Sequence, residues 1–405
     1  MDVNQPLSLL AGLTPAQFMR RHWQKRPMLV RQALPGMTPL LSRRALFALA
    51  ERPDVESRLL THDDKGWRMR QGPFGPRSLP ALSKPDWTLL VQGVDLHDRK
   101  AYELLKRFRF VPDARLDDLM VSFATAGGGV GPHFDSYDVF LLQASGQRRW
   151  KISRQKDLTL QPGVPLKILQ NFQSEQEFVL DAGDMLYLPP LYAHEGIAVP
   201  SDGPGGHAAE CMTYSIGFRA PEQRELAAEL LRRLADFSDD SDAPPSPRYQ
   251  DRSQAATTEP AAVPPDLLAF ASEAVASALR DRLAVPCALG EHLTELKPSV
   301  WFDGTSTVWN PFNEATPPVG ILLDSKTRMM YDPQHVFING ESYRAAGADA
   351  RLIQRLANQR QLSAKDIAKA SSAALQLLAD WHESGWIHAL IPSADAYEGA
   401  RRDEF

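Results

Sequence analysis

The chain has 405 residues, 43% of them hydrophobic and 23% charged, which is the balance of a globular protein and excludes a disordered or collagen-like chain. Its net charge of -5 makes it a poor general binder of polyanions. Two cysteines are too few for a disulfide framework or a zinc–cysteine cage, and with no basic, apolar leader and no run of about 20 apolar residues the expected setting is a reducing cytoplasm, away from membranes.

At this length two or three domains are expected. Residues 13–26 read as a helix, with Thr14 as N-cap, Pro15 in the first turn and Gln17 completing a capping box. Pro27 stops it, Met28–Val30 reads as a strand, and a second helix is expected over 42–51 from Ser42. From about 117 to 219 short segments rich in β-branched and aromatic residues alternate with Gly, Pro and Asp turns: Leu119–Ala124, Tyr137–Gln143, Arg148–Ile152, Glu177–Leu180, Met185–Leu188 and Glu210–Phe218. That spacing predicts an all-β barrel or jelly roll.

Helices resume at Pro221. One places Leu226, Leu230, Leu234 and Phe237 at core spacing, and another, from Asp266, carries Leu268, Ala271, Val275 and Leu279. Between them, 238–265 is rich in Ser, Asp and Pro and reads as a loop. These apolar stripes suit either a dimer contact or packing on the same chain's barrel, and the pattern alone does not choose. Farther on, Met329–Tyr331 and His335–Ile338 predict a hairpin, Asn339-Gly340 a tight turn, and 348–358, 363–370 and 372–383 helices, with Trp386–Leu390 as a closing strand: a winged-helix unit.

The chemistry is concentrated in GGGVGPHFDSYDVF, residues 127–140. His133 and Asp135, two apart in an expected strand, share a face. A second histidine, His194, follows the Pro189-Pro190 corner. Two histidines and a carboxylate form a facial triad, which leaves one side of Fe(II) open for a chelating cosubstrate and O₂. A lone His-x-Asp is usually only a hydrogen-bonded pair; the distal histidine inside a predicted barrel favours the metal. In GQRRWKI, Arg148 shares a face with Trp150 and Ile152. An inward guanidinium needs an anion, and a dicarboxylate would fit it; the alternative is an arginine snorkelling at the barrel rim. Gly127–Gly131 lacks the Gly-Lys-Ser/Thr of a phosphate loop and reads as a flexible entry beside the metal.

These stretches, with His22-Trp23-Gln-Lys-Arg-Pro27 and GDMLYLPPLYAHEG, resemble the JmjC/cupin-like 2-oxoglutarate oxygenases, and among them the bacterial ribosomal oxygenases. The resemblance implies an α+β protein with a double-stranded β-helix (jelly-roll) barrel and N-terminal helices over 1–219, a helical dimerisation region over 220–305, and a winged-helix domain over 306–405. It implies Fe(II) held by His133, Asp135 and His194, 2-oxoglutarate held by Arg148 with a hydroxyl contact from Ser122, and O₂ as the second cosubstrate. The implied reaction is hydroxylation of an arginine β-carbon in a large-subunit ribosomal protein by a homodimer. Asp118, Met120 and Ser122 alternate along one strand; the resemblance makes Asp118, Met120 and Tyr137 the arginine pocket, while Met120 and Tyr137 as plain barrel core is the competing reading.

Other readings are the same chemistry on a ribosomal-protein histidine, a zinc or manganese cupin, and a winged-helix nucleic-acid binder with a non-catalytic barrel. The basic run in 344–370 reads as a solvated helix face rather than a nucleic-acid patch. His207, His382 and His388 lack spaced metal partners and read as structural or surface residues.

Overall fold

A computed structural model describes residues 2–200, 210–238, 247–252, 256, 261–304, 309 and 318–390, and divides the chain into units of 1–220 and 221–405. Most of the loop expected over 238–265, and His207, lie outside the described residues.

The first unit contains, in order, α1 (Pro15–Arg21), β1 (Met28–Val30), α2 (Arg43–Ala50), β2 (Ser57–Asp63), β3 (Gly66–Gln71), β4 (Trp87–Val91), α3 (Arg99–Lys106), β5 (Leu116–Ala124), β6 (Val139–Ser145), β7 (Arg148–Ser153), β8 (Gln176–Leu180), β9 (Met185–Leu188), β10 (Ala193–Ala198) and β11 (Cys211–Phe218). The capping box of α1 forms in both directions: the Gln17 amide donates to Thr14 Oγ1 and the Thr14 amide to Gln17 Oε1, each at 3.1 Å. The helix ends at Arg21, five residues before the expected end. The chain turns left-handed at Gln24 (φ 56°), and Lys25 Nζ and Arg26 Nε fold back onto the carbonyls of Arg20 and Arg21.

Eight strands form one sheet in the order β1-β9-β6-β11-β5-β4-β2-β3, and three form a second, β10-β7-β8. Strand alternation sorts the large sheet's residues. Leu119, Val121 and Phe123 of β5, Phe140 and Leu142 of β6, and Met212, Tyr214 and Ile216 of β11 enter one core with Phe18, Leu46 and Leu104 of the helices. The opposite face turns toward the small sheet and joins Val139, Leu141, Leu186 and Leu188 to Trp150, Ile152 and Leu180. This is the double-stranded β-helix that was expected.

The small sheet is incomplete on one side. Residues 127–138, expected to carry a strand from Tyr137, form no continuous ladder with β10: they meet it at two isolated bridges, Gly129 to Ile197 and His133 to His194, and at the Gly127 amide, which donates to the Ala198 carbonyl at 3.0 Å. Gly131 at φ 79° and Pro132, which has no amide hydrogen, break the ladder between them. His133 and Asp135 therefore lie in an irregular segment, not in a regular strand.

The second unit contains α4 (Gln223–Ser238), α5 (Pro265–Ala278), α6 (Ala284–Thr294), β12 (Gly320–Leu323), β13 (Met329–Tyr331), β14 (His335–Ile338), β15 (Glu341–Arg344), α7 (Gly347–Gln359), β16 (Gln361–Ser363), α8 (Ala364–Ile367), α9 (Ser372–Glu383) and β17 (Ile387–Leu390). The expected helical and winged-helix regions both fall within it. β13 pairs with β14 as expected, and the Asn339-Gly340 turn (φ 50° and 89°) joins β14 to β15. Ser363 and Asp366 form the second capping box. Leu234 is buried, whereas Leu268 and Val275 of α5 are each 62% exposed in the single chain; the surroundings of Phe237 lie outside the described residues.

Candidate metal centre

One feature of the barrel follows directly from its broken edge. The His133 and His194 backbones exchange both amide–carbonyl hydrogen bonds, at 2.9 and 2.7 Å, so the two imidazoles leave neighbouring positions, with ring centroids 4.2 Å apart. The Leu191 amide donates to the Asp135 carbonyl at 2.7 Å and ties Asp135 to the same corner. A donor atom from each of His133, Asp135 and His194 lies within 4.8 Å of the others, and His194 Nε2 stands 3.7 Å from Asp135 Oδ2.

Both rings are oriented from behind. His133 Nδ1 lies 2.9 Å from the Gly131 carbonyl and His194 Nδ1 2.9 Å from the Tyr192 carbonyl. An N–H donated from each Nδ1 fixes the tautomer and leaves the Nε2 lone pairs for a metal. Burial, aided by the neighbouring His133, pushes the His194 imidazole down to about 4, so it is neutral at ordinary pH. Two imidazoles and one carboxylate make a donor set suited to a divalent first-row metal.

Arg148 points into the barrel and is 2% exposed. Its Cζ lies 5.8 Å from the Trp150 ring, and that ring is also 5.8 Å from the His194 ring. Among the described residues Nη1 reaches only the Gly196 carbonyl, at 3.4 Å, while Nε and Nη2 have no partner. A buried guanidinium with two unanswered nitrogens is costly unless an anion enters. A carboxylate would satisfy both groups, and a dicarboxylate could chelate a metal with its other end. The rim alternative for Arg148 is excluded by its burial.

The remaining expected site residues lie on the inner face of β5 and at the mouth. Ser122 is buried and its Oγ donates to the Thr213 carbonyl at 3.4 Å. Asp118 is buried with Oδ2 accepting the Gly93 amide at 2.9 Å, and Met120 is half-buried on the same face. A Cβ at Gly217 would meet Asp118 Oδ1 at 3.8 Å and Tyr137 Cε2 at 3.9 Å, so this glycine leaves a gap between carboxylate and ring. Tyr137 is 39% exposed, which removes it from the barrel core. Burial of its hydroxyl, the charges of Asp135 and Asp118 and a hydrogen bond to Asp135 push its ionisation upward, so it stays protonated.

Three features were not read from the sequence. Gly127–Gly131 is tightly packed rather than a flexible entry: a Cβ at Gly129 would lie 2.5 Å from the Gly196 oxygen. Gln143 and Thr213 form a buried pair on the inner face, Thr213 Oγ1 donating to Gln143 Oε1 at 2.8 Å. Asp138 is fully buried and accepts from Tyr187 Oη at 2.5 Å, Gln24 Nε2 at 3.1 Å and Arg115 Nη2 at 3.4 Å, anchoring the end of the segment that carries Asp135 and Tyr137. Only the run of polar types gave any signal for these. His382 and His388 serve structure, with His388 Nε2 2.7 Å from Asp324 Oδ2.

Residues 103–226 match the JmjC domain model and residues 274–388 the ROXA-like winged helix. The ribosomal protein uL16 3-hydroxylase of Escherichia coli K12 is 39% identical over 235 residues, 56% of this chain and 60% of that protein. A probable ribosomal oxygenase of Haemophilus influenzae is 34% identical over 219 residues, 53% of this chain and 52% of that protein. The matched region thus spans between half and two thirds of these relatives. The structure of YcfD, a ribosomal oxygenase from Escherichia coli, in complex with cobalt and 2-oxoglutarate, matches with a TM-score of 0.75 at 28% identity, covering 93% of this chain and 98% of that one.

Proposed function

We propose that the chain is a JmjC-type 2-oxoglutarate oxygenase, an Fe(II)-dependent hydroxylase of an arginine β-carbon in a large-subunit ribosomal protein, a reading supported by the matched JmjC and winged-helix segments and by the similar ribosomal oxygenases. The observation that carries the reading is the buried, unsatisfied guanidinium of Arg148 beside a two-histidine, one-carboxylate cluster. His133, Asp135 and His194 would hold the metal, and Arg148 the far carboxylate of 2-oxoglutarate, with Ser122 as a further hydroxyl on the same inner face.

Bound Fe(II), 2-oxoglutarate and O₂ together supply the oxidising power to insert oxygen into an unactivated C–H bond, with succinate and CO₂ as the other products. The chain's own residues do the rest. The backbone-held imidazoles keep their Nε2 atoms toward one point. Trp150 fills the space between Arg148 and His194 and excludes water. Asp118 offers a carboxylate to a substrate guanidinium and Tyr137 a ring against which it can lie, across the gap left by Gly217. This gap supports arginine, and the relative's name supports a ribosomal protein. The exposed apolar residues of α5 support a homodimer, with 220–305 as its region of contact. No described helix is long and apolar enough to cross a membrane; a cytoplasmic location belongs to the same proposal.

The test is turnover. Protein loaded with Fe(II) under anaerobic conditions should convert 2-oxoglutarate to succinate on addition of O₂ and a ribosomal-protein substrate. His133→Ala should abolish conversion, and a variant that retains full turnover would refute the assignment.

A further inference from the structure

Between Asp2 and Glu51 the sequence contains no acidic residue, but it contains Arg20, Arg21, Lys25, Arg26, Arg31, Arg43 and Arg44. In a chain of net charge -5 this is a marked local reversal. Arg31 and Arg43 are answered, by Asp184 and Glu210. Arg20, Arg21, Lys25 and Arg26 are exposed and have no acidic partner among the described residues. Lys25 Nζ lies 2.7 Å from the Arg20 carbonyl and Arg26 Nε 3.1 Å from the Arg21 carbonyl, so the four cations gather at the C-terminal end of α1. The field is felt locally: burial lowers the proton affinity of His22, and Arg26 and Arg21 lower it further.

The cluster is joined to the mouth of the metal centre. Gln24, within the same turn, donates from its backbone to Tyr187 Oη at 2.8 Å and from Nε2 to Asp138, the neighbour of Tyr137. An anion seated on residues 20–26 would therefore rest on a turn that Gln24 ties to the segment carrying Asp135 and Tyr137. Phe18 and Trp23 are buried, so the turn offers no large apolar side chain to a lipid surface. Exposed arginines suit phosphate because the guanidinium gives two parallel donors.

We propose that the turn over residues 20–26 is an RNA-phosphate contact that holds the enzyme on ribosomal RNA next to its protein substrate. The proposal rests on the ribosomal-substrate reading, because RNA phosphate is the polyanion that surrounds such a substrate.

The experiment measures binding of the full chain to a labelled single-stranded RNA and to an RNA duplex over a range of KCl concentrations. It compares wild type with a variant carrying Arg20→Gln, Arg21→Gln, Lys25→Gln and Arg26→Gln. Each lost phosphate contact on a single strand should reduce the salt slope by about 0.7, so the slope should fall by about 3 and affinity by at least about tenfold at low salt. A second variant, Arg20→Gln with Arg21→Gln, spares the two side chains that bond helix carbonyls and should lose about half as much slope. Hydroxylation of an isolated substrate peptide should be unchanged in both variants. Equal RNA binding by wild type and both variants would overturn the proposal, as would tighter, patch-dependent binding of polyglutamate than of RNA. If no peptide is hydroxylated by wild type, the proposed enzymatic function fails, and the RNA titration still reads the patch independently.

Discussion

Trp150 lies against Gly196 so closely that a Cβ on the glycine would stand 2.6 Å from two carbons of the indole ring. The two residues are register partners on β7 and β10, the strands that carry Arg148 and His194. The spacing between the Arg148 guanidinium and the His194 imidazole is therefore set by a packed ring on a bare backbone. Gly196→Ala should force the ring or β10 to shift, costing about 1–3 kcal/mol. Thermal unfolding should register the loss and the KM for 2-oxoglutarate should rise. A variant with wild-type melting and an unchanged KM would show that this contact does not set the spacing.

Arg148 makes a prediction of the opposite sign for stability. Replacing an unpaired buried charge by an apolar side chain is neutral or stabilising, by up to about 4 kcal/mol. Arg148→Met should therefore melt no lower than wild type in the absence of ligand. Ligand at about 100 times its Kd adds roughly 2.7 kcal/mol to a protein that binds it. 2-Oxoglutarate should give wild type that increment and give the variant little. Calorimetry with and without cosubstrate decides the matter; equal stabilisation of both proteins would remove Arg148 from the site.

The His194 imidazole predicts a pH dependence in the metal-free protein. Its folded value, about 4, lies below the ordinary histidine value of 6.5 because burial opposes the charge. Between those values the unfolded chain binds a proton that the native form does not, so stability falls as pH falls through that window and levels off below it. The full effect is on the order of 3 kcal/mol. Denaturant titrations should show this slope in wild type and a shallower one in His194→Asn. A parallel slope in the two proteins would show that the imidazole is not buried neutral.

Much of this was legible because it depends on local rules. Thr14 and Gln17, Ser363 and Asp366, and Asn339-Gly340 act within a few residues of themselves, and the alternation of Arg148, Trp150 and Ile152 already fixes which face is inward. What escaped depends on contacts distant in sequence. Strands β2, β3 and β4 extend the large sheet, yet β4 is buried along its whole length and shows no alternation. α6 contains Pro286 and Gly290, and only the packing of Gly290 on Phe337 explains that glycine within a helix. Asp138 could not be distinguished from a surface aspartate until Tyr187, Gln24 and Arg115 converged on it. The segment carrying His133 was expected to be regular, and the bridge to His194 achieves the same juxtaposition without a ladder.

The most direct measurement is mass spectrometry of ribosomal proteins after incubation with the Fe(II)-loaded protein, 2-oxoglutarate and O₂, compared with the His133→Ala variant. The account predicts one added oxygen on a single arginine of a large-subunit protein, absent with the variant. Oxygen on a histidine instead, or no oxygen on any ribosomal protein, would contradict it.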